Sequence, residues 1–253
     1  MTSKLPNEPL AEIRLAMMTL TRLPVGRISE PVPPMARTRW AYPLVGLVLG
    51  AVIGGVFVVL TTMGIAPLVA AFVAILAGVL ATGALHEDGL ADCVDGFWGG
   101  STRQRKLDIM RDSRIGTYGT LALIFSVGLR GAALASLVAP FWTVIAVAML
   151  SRYAMVVAVD LMPSARIEGL GATVADEPGQ SGRAVLLGFA GAIVLITASG
   201  SSGLIAIATM SIAGLAFARL AMRQIGGQTG DVMGGVQQVT EIAALVALSV
   251  LAT

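Results

Sequence analysis

Charge is scarce in this chain, and cysteine nearly absent. Lys, Arg, Asp and Glu together make up 13% of 253 residues, and the one cysteine is Cys93. A single cysteine excludes an intramolecular disulfide and cannot by itself build a thiolate metal cage, so Cys93 reads as a small apolar residue. Alternation of apolar with polar residues is missing too. The apolar runs are continuous, which disfavours a closed β-barrel. Residues 1–39 carry six basic side chains but no long apolar core, and so lack the pattern of a cleavable signal.

What fills the chain is hydrocarbon. Hydrophobic residues make up 56%, with a mean hydropathy of +0.84, more apolar material than a soluble core of this size can bury. Residues 41–63 contain no charge, a run long enough to cross roughly 30 Å of hydrocarbon at about 1.5 Å per residue. Further apolar segments follow at about 65–85, 118–139, 141–162, 184–200, 202–218 and 235–252. The expectation is an all-α polytopic membrane bundle of about seven transmembrane helices, because a lipid-exposed backbone must satisfy its own hydrogen bonds. The fifth and sixth segments are short enough to leave open whether they fully span. No linker or repeat divides the chain, so 1–253 reads as a single membrane domain with an N-terminal arm over 1–39. Within that arm, Leu10, Ile13, Met17 and Leu20 recur about a helical turn apart. They predict a short helix, either lying at the interface or packed on the bundle.

Placing the charges along the chain assigns the sides. With the N-terminus cytoplasmic, the basic residues fall in the N-terminal arm, in 103–114, in 152–183 and in 219–223, all on one side, while Arg130 lies in the middle of the third span and falls outside that account. The opposite turns carry no charge. This bias predicts cytoplasmic loops at 86–117, 163–183 and 219–234.

The first of these loops holds the chemistry. In "ALHEDGLADCVDGFWGG", Asp88, Asp92 and Asp95 are spaced i, i+4, i+7, so a helix continuing from the second span projects all three from one face. Like charges so placed repel and call for a cation, and Mg²⁺ takes one or two carboxylates together with water and substrate phosphates. Asp112 adds an acid, while Arg103, Arg105, Lys106, Arg111 and Arg114 interleave as phosphate-binding cations. Ser101 and Gln104 suggest a capping box that starts a second helix and makes the loop 86–117 a helical hairpin. Gly116 and Gly119 allow close backbone approach to a ligand. His86, the only histidine, is either a general base toward a hydroxyl or a structural hydrogen-bonding group.

Arg130, Arg152 and Glu241 lie inside apolar spans, where ionised groups need a partner or a polar cavity. Two arginines against one acid leave positive charge over, which an anionic substrate phosphate would balance. The alternative is an internal ion pair. In "GGQTGDVMGG", Thr229 and Asp231 stand in a glycine-rich turn, and Asp231 is a further carboxylate for the site.

Taken in order, "LHEDGLADCVDG", "IMRDSRIGTYG", "LSRYAM" and "GGQTGDVMGGVQQVTE" resemble the cobalamin synthase family, the adenosylcobinamide-GDP ribazoletransferases. The resemblance implies a multi-pass enzyme of the bacterial inner membrane. It also implies dependence on Mg²⁺ and transfer of the cobinamide-phosphoryl group onto α-ribazole or its 5′-phosphate with release of GMP. Its partners are small-molecule substrates and membrane lipid, not nucleic acid, and it implies association with other enzymes of cobamide assembly. It carries His86, Asp92 and Asp112 as catalytic residues and Asp88, Asp92, Asp95 and Asp112 as metal ligands. Glu87, Ser113, Arg114, Gly116, Arg130, Arg152, Thr229, Asp231 and Glu241 are carried as substrate-binding. Glu87 and Arg130 depart from the family pattern, in which the first is often apolar and the second often lysine. Two alternatives use similar features. A CDP-alcohol phosphotransferase shares the acidic DG motif but expects arginine where Asp92 stands, and an ion-coupled transporter would also use intramembrane charge.

Overall fold

The computed structural model describes residues 8–137, 140–175 and 181–251. After helix α1 (Glu8–Leu20) and a 3₁₀ helix (Met35–Ala41) come α2 (Tyr42–Thr62), α3 (Pro67–Thr82), α4 (Leu85–Gly99) and α5 (Arg103–Ile109). They are followed by α6 (Thr117–Ala135), α7 (Pro140–Leu161), α8 (Leu170–Ala175), α9 (Ser181–Ser199), α10 (Ser201–Ile225) and α11 (Gly230–Leu251). Among the described residues, six helices are long and apolar enough to cross a membrane, or seven if α3 and α4 form one bent span. The protein is an all-α, polytopic membrane bundle. At 19 and 25 residues, α9 and α10 are longer than the apolar segments that mark them in sequence, and both are long enough to span.

Two helices make the centre. The apolar windows of α7 and α11 are 72% and 67% buried, against 22–33% for α2, α6, α9 and α10, which turn their remaining faces to lipid. Packing between α2 and α7 is set by a small-residue repeat. A Cβ on Gly46 would lie 2.3 Å from the Ala148 carbonyl oxygen, one on Gly50 2.5 Å from Ile145 Cα, and one on Gly54 3.2 Å from Phe141 Cα. Without a hydrophobic drive between helices in lipid, such close backbone approach is what holds them together.

The N-terminal helix follows the packed alternative. Ala16, Met17 and Leu20 are buried beside Trp40 and Tyr42, and the buried Glu12 accepts from Trp40 Nε1 at 2.7 Å and pairs with Arg37 at 3.2 Å. The loops gather at the same end. Arg103 donates to the carbonyls of Ile225 at 2.6 Å and Ala165 at 3.1 Å, and Arg39 pairs with Asp160 at 2.9 Å.

The acidic helix does not continue from the second span. Gly83 and Ala84 adopt left-handed conformations, φ +65° and +60°, and the chain turns by 89° between α3 and α4. A left-handed alanine is a strained position, and it aims α4 along α6 and α11 instead of along α3. The second helix of the expected hairpin forms, but its cap is Thr102, whose hydroxyl accepts from Arg105 N at 3.2 Å. Gln104 reaches forward to Asp108 at 2.9 Å, so the reciprocal box is not made.

Candidate active site

Because α4 lies between α6 and α11, its two ends serve different surroundings. At its start, His86 and Glu87 enter the bundle. Arg130 on α6 donates to Glu87 at 2.9 Å and to Glu241 on α11 at 3.2 Å, and Arg152 on α7 lies 3.8 Å from Glu241. Gln238 donates to Glu87 at 3.1 Å and Gln237 to Glu241 at 2.6 Å, while Ser126 donates to Gln238 at 2.7 Å. All of these charged groups are buried.

The expectation of leftover positive charge is therefore overturned. Glu87, assigned to substrate, is the second acid, and two arginines face two carboxylates. The space they enclose is about 10 Å³, room for about one water and none for a phosphate. Arg130, Arg152, Glu241 and Glu87 accordingly form an internal ion-pair network, the alternative weighed against phosphate binding. His86 is 1% exposed and lines the same enclosure, with no hydrogen-bond partner for Nε2 among the described residues. It is not brought to the aspartate face, and as a general base it would lack a path to a hydroxyl.

Toward the other end, α4 presents its aspartates. Asp88 is exposed, Asp92 intermediate and Asp95 buried. The charge of Asp92 meets those of Asp88, Asp231 and Asp95, with Arg166 opposing them. Asp231 enters this group because α11 starts at Gly230 and Gly89 lets it approach closely: a Cβ there would sit 2.8 Å from the Asp231 carbonyl oxygen. Thr229 caps that start, its hydroxyl accepting from Val232 N at 3.2 Å and donating to Asp231 at 3.2 Å. Its visible part is thus to hold Asp231.

Asp95 is turned to another task. Its carboxylate accepts from Gly116 N at 2.7 Å and Gly119 N at 2.8 Å, satisfying first-turn amides of α6 that the chain leaves without a local side-chain cap. A Cβ on Gly116 would lie 2.5 Å, and on Gly119 2.4 Å, from its oxygens. The glycines of "RIGTYG" make room for this carboxylate.

Asp112 stands apart from the Asp92 group. Both its oxygens receive Arg114, at 3.1 Å from Nε and 2.7 Å from Nη2, and this hydrogen-bonded fork pulls its carboxyl down to about 2. Asp112, Arg114, Gly116, Tyr118 and Asp95 line an open cavity of about 460 Å³ on the α5–α6 side of Asp95. Ser113 is exposed beside them. A larger apolar cavity, about 580 Å³ between α7, α9 and α10, includes Leu150, Phe189 and Arg219 but none of the carboxylates.

Oxygen donors of this kind suit a hard divalent cation. Among the described residues no group of three or more His, Cys, Asp or Glu forms a ready-made cage. Mg²⁺ does not require one, since it keeps waters and shares substrate oxygens. Asp88, Asp92 and Asp231 fit that mode, whereas Asp95 already serves α6 and Asp112 serves Arg114.

Sequence reasoning did not single out Arg166, Gln237 or Gln238. The glutamines carried a signal, a polar pair inside an apolar span. Arg166 carried none, for a loop residue has no periodicity to place it.

A family model described as cobalamin-5-phosphate synthase matches residues 12–249. The chain is 45% identical over 243 residues to an adenosylcobinamide-GDP ribazoletransferase of Bradyrhizobium diazoefficiens, covering 93% of this chain and 92% of that one. A protein of the same name from Azorhizobium caulinodans is 43% identical, covering 96% and 97%. One from Mesorhizobium japonicum is 41% identical, covering 97% and 95%. No solved structure matches the chain.

Proposed function

The chain belongs to the cobalamin-5-phosphate synthase family, and on that premise we propose that it is a Mg²⁺-dependent membrane transferase. It joins adenosylcobinamide-GDP to α-ribazole, or to α-ribazole 5′-phosphate, and releases GMP. The observation that carries this reading is the convergence of Asp88, Asp92 and Asp231 with Arg166 at one end of a membrane bundle. Membership of the family sets aside the phosphotransferase and transporter alternatives.

In the proposed reaction the ribazole 3′-hydroxyl oxygen bonds to the phosphorus bearing the cobinamide arm, and the bond from that phosphorus to the GMP oxygen breaks. When bound, Mg²⁺ supplies neutralisation of the charge that develops on the pyrophosphate oxygens. Asp88, Asp92 and Asp231 would hold it. Since His86 is enclosed, the hydroxyl proton passes to a carboxylate oxygen of this group that does not engage the cation, with Asp92 the half-buried candidate. Arg114, 87% exposed at its side chain, reaches into the cavity beside Asp95 and can turn its fork from Asp112 to a phosphate. The concentration of basic residues at the active-site end supports a cytoplasmic N-terminus and cytoplasmic loops in the inner membrane.

The test is reconstitution in lipid vesicles with adenosylcobinamide-GDP and α-ribazole. GMP should appear only with both substrates and Mg²⁺, and cease on chelation. Absence of GMP under those conditions would refute the reading.

A further inference from the structure

Arg166 is the residue that the proposed reaction leaves unexplained. Its loop is stitched to the turn before α11: Ala165 N donates to the Gln228 carbonyl at 2.8 Å and Gln228 N to that of Pro163 at 2.8 Å. A Cβ on Gly227 would lie 2.3 Å from the Pro163 carbonyl oxygen, so the two segments are in backbone contact. This fixes where Arg166 leaves the main chain. Its Nη1 donates to Asp231 at 3.3 Å and Nη2 to the Leu107 carbonyl at 3.0 Å, while Nε is buried and has no hydrogen-bond partner among the described residues. Against Asp92, the charge of Arg166 opposes those of Asp88, Asp231 and Asp95.

A guanidinium in that position occupies the charge that a divalent ion would neutralise. Its unused Nε and divided fork show that Asp231 and Leu107 do not use its full donor set, whereas a phosphate would take the fork in parallel. We propose that Arg166 is the exchangeable cation of the carboxylate site. In the free protein it holds Asp231; on substrate binding it releases that carboxylate to the divalent cation and turns its fork onto the pyrophosphate. The proposal rests on the reading that cation and pyrophosphate share this site, and it gives Arg166 a substrate-binding role. It also makes metal and substrate mutually reinforcing, because each removes an obstacle to the other.

The test uses the full-length protein in detergent, with Mn²⁺ binding followed by electron paramagnetic resonance and GDP as the pyrophosphate probe. Arg166→Gln should bind Mn²⁺ alone about tenfold more tightly than the wild type, since a competing unit charge is gone. Arg166→Lys, which keeps the charge, should stay within about twofold. GDP binding without metal should weaken about fivefold or more in both variants, because neither has the fork. Asp92→Asn should lose Mn²⁺ binding. Asp92-dependent binding that Arg166→Gln leaves unchanged or weakens would overturn the role of Arg166 alone. Mn²⁺ binding that is absent, or indifferent to Asp92, would overturn the shared-site reading beneath it. If Arg166→Gln does not fold, unaltered GDP affinity in Arg166→Lys would still overturn the proposal.

Discussion

Replacing Arg130 by methionine separates two accounts of the buried charges. Arg130 joins Glu87 at 2.9 Å and Glu241 at 3.2 Å, with its side chain 5% exposed. Removing it leaves two carboxylates in an enclosure where, among the described residues, Arg152, 3.8 Å from Glu241, is the cation left to oppose them. Breaking a buried pair from one side costs about 3–5 kcal/mol. For a chain of this size each kcal/mol lowers Tm by roughly 2–4 °C, so the fall should be on the order of 6–20 °C. The double variant Arg130→Met with Glu87→Gln removes one stranded charge and should recover roughly half of the loss. Thermal unfolding in detergent at one fixed scan rate ranks the three proteins, which matters because unfolding of a membrane protein need not be reversible. A Tm unmoved by Arg130→Met, together with a raised KM, would refute the structural network and return Arg130 to the substrate.

Other outcomes follow from the same contacts. Gly119→Ala should displace Asp95, whose oxygen would lie 2.4 Å from the new Cβ; the enzyme should insert normally but lose activity about tenfold or more, read as kcat against folded yield. Gly46→Leu should prevent α2 from seating on α7 and abolish monodisperse protein on size exclusion, since the obstructing atom is backbone. Thr102→Ala removes a helix cap on an exposed turn and should cost about 1 kcal/mol, visible as a small Tm shift with kcat unchanged.

The membrane bundle was legible because hydropathy is additive along a chain and lipid allows few architectures. The orientation of the acidic helix was not. The 89° turn runs through two left-handed residues, Gly83 and Ala84, and no propensity would place an alanine there. Spacing correctly put Asp88, Asp92 and Asp95 on α4, yet sequence could not show that Asp95 would be drawn to the amides of Gly116 and Gly119. Likewise, charge counting failed at Arg130 and Arg152 because Glu87 was grouped with its acidic neighbours. Helical rotation separates Glu87 from Asp88 by about 100°, enough to turn one inward and leave the other at the mouth. Asp231 was identified as a carboxylate for the site, but its cation, Arg166, comes from a separate loop through backbone bonds that leave no pattern in sequence.

The most direct measurement is GMP release by Asp92→Asn in reconstituted vesicles, with its thermal stability recorded in parallel. A reaction centre at Asp88, Asp92 and Asp231 predicts a fall of about 10²-fold or more, with Tm close to that of the wild type. Near wild-type release at limiting Mg²⁺ would place the chemistry elsewhere in the molecule.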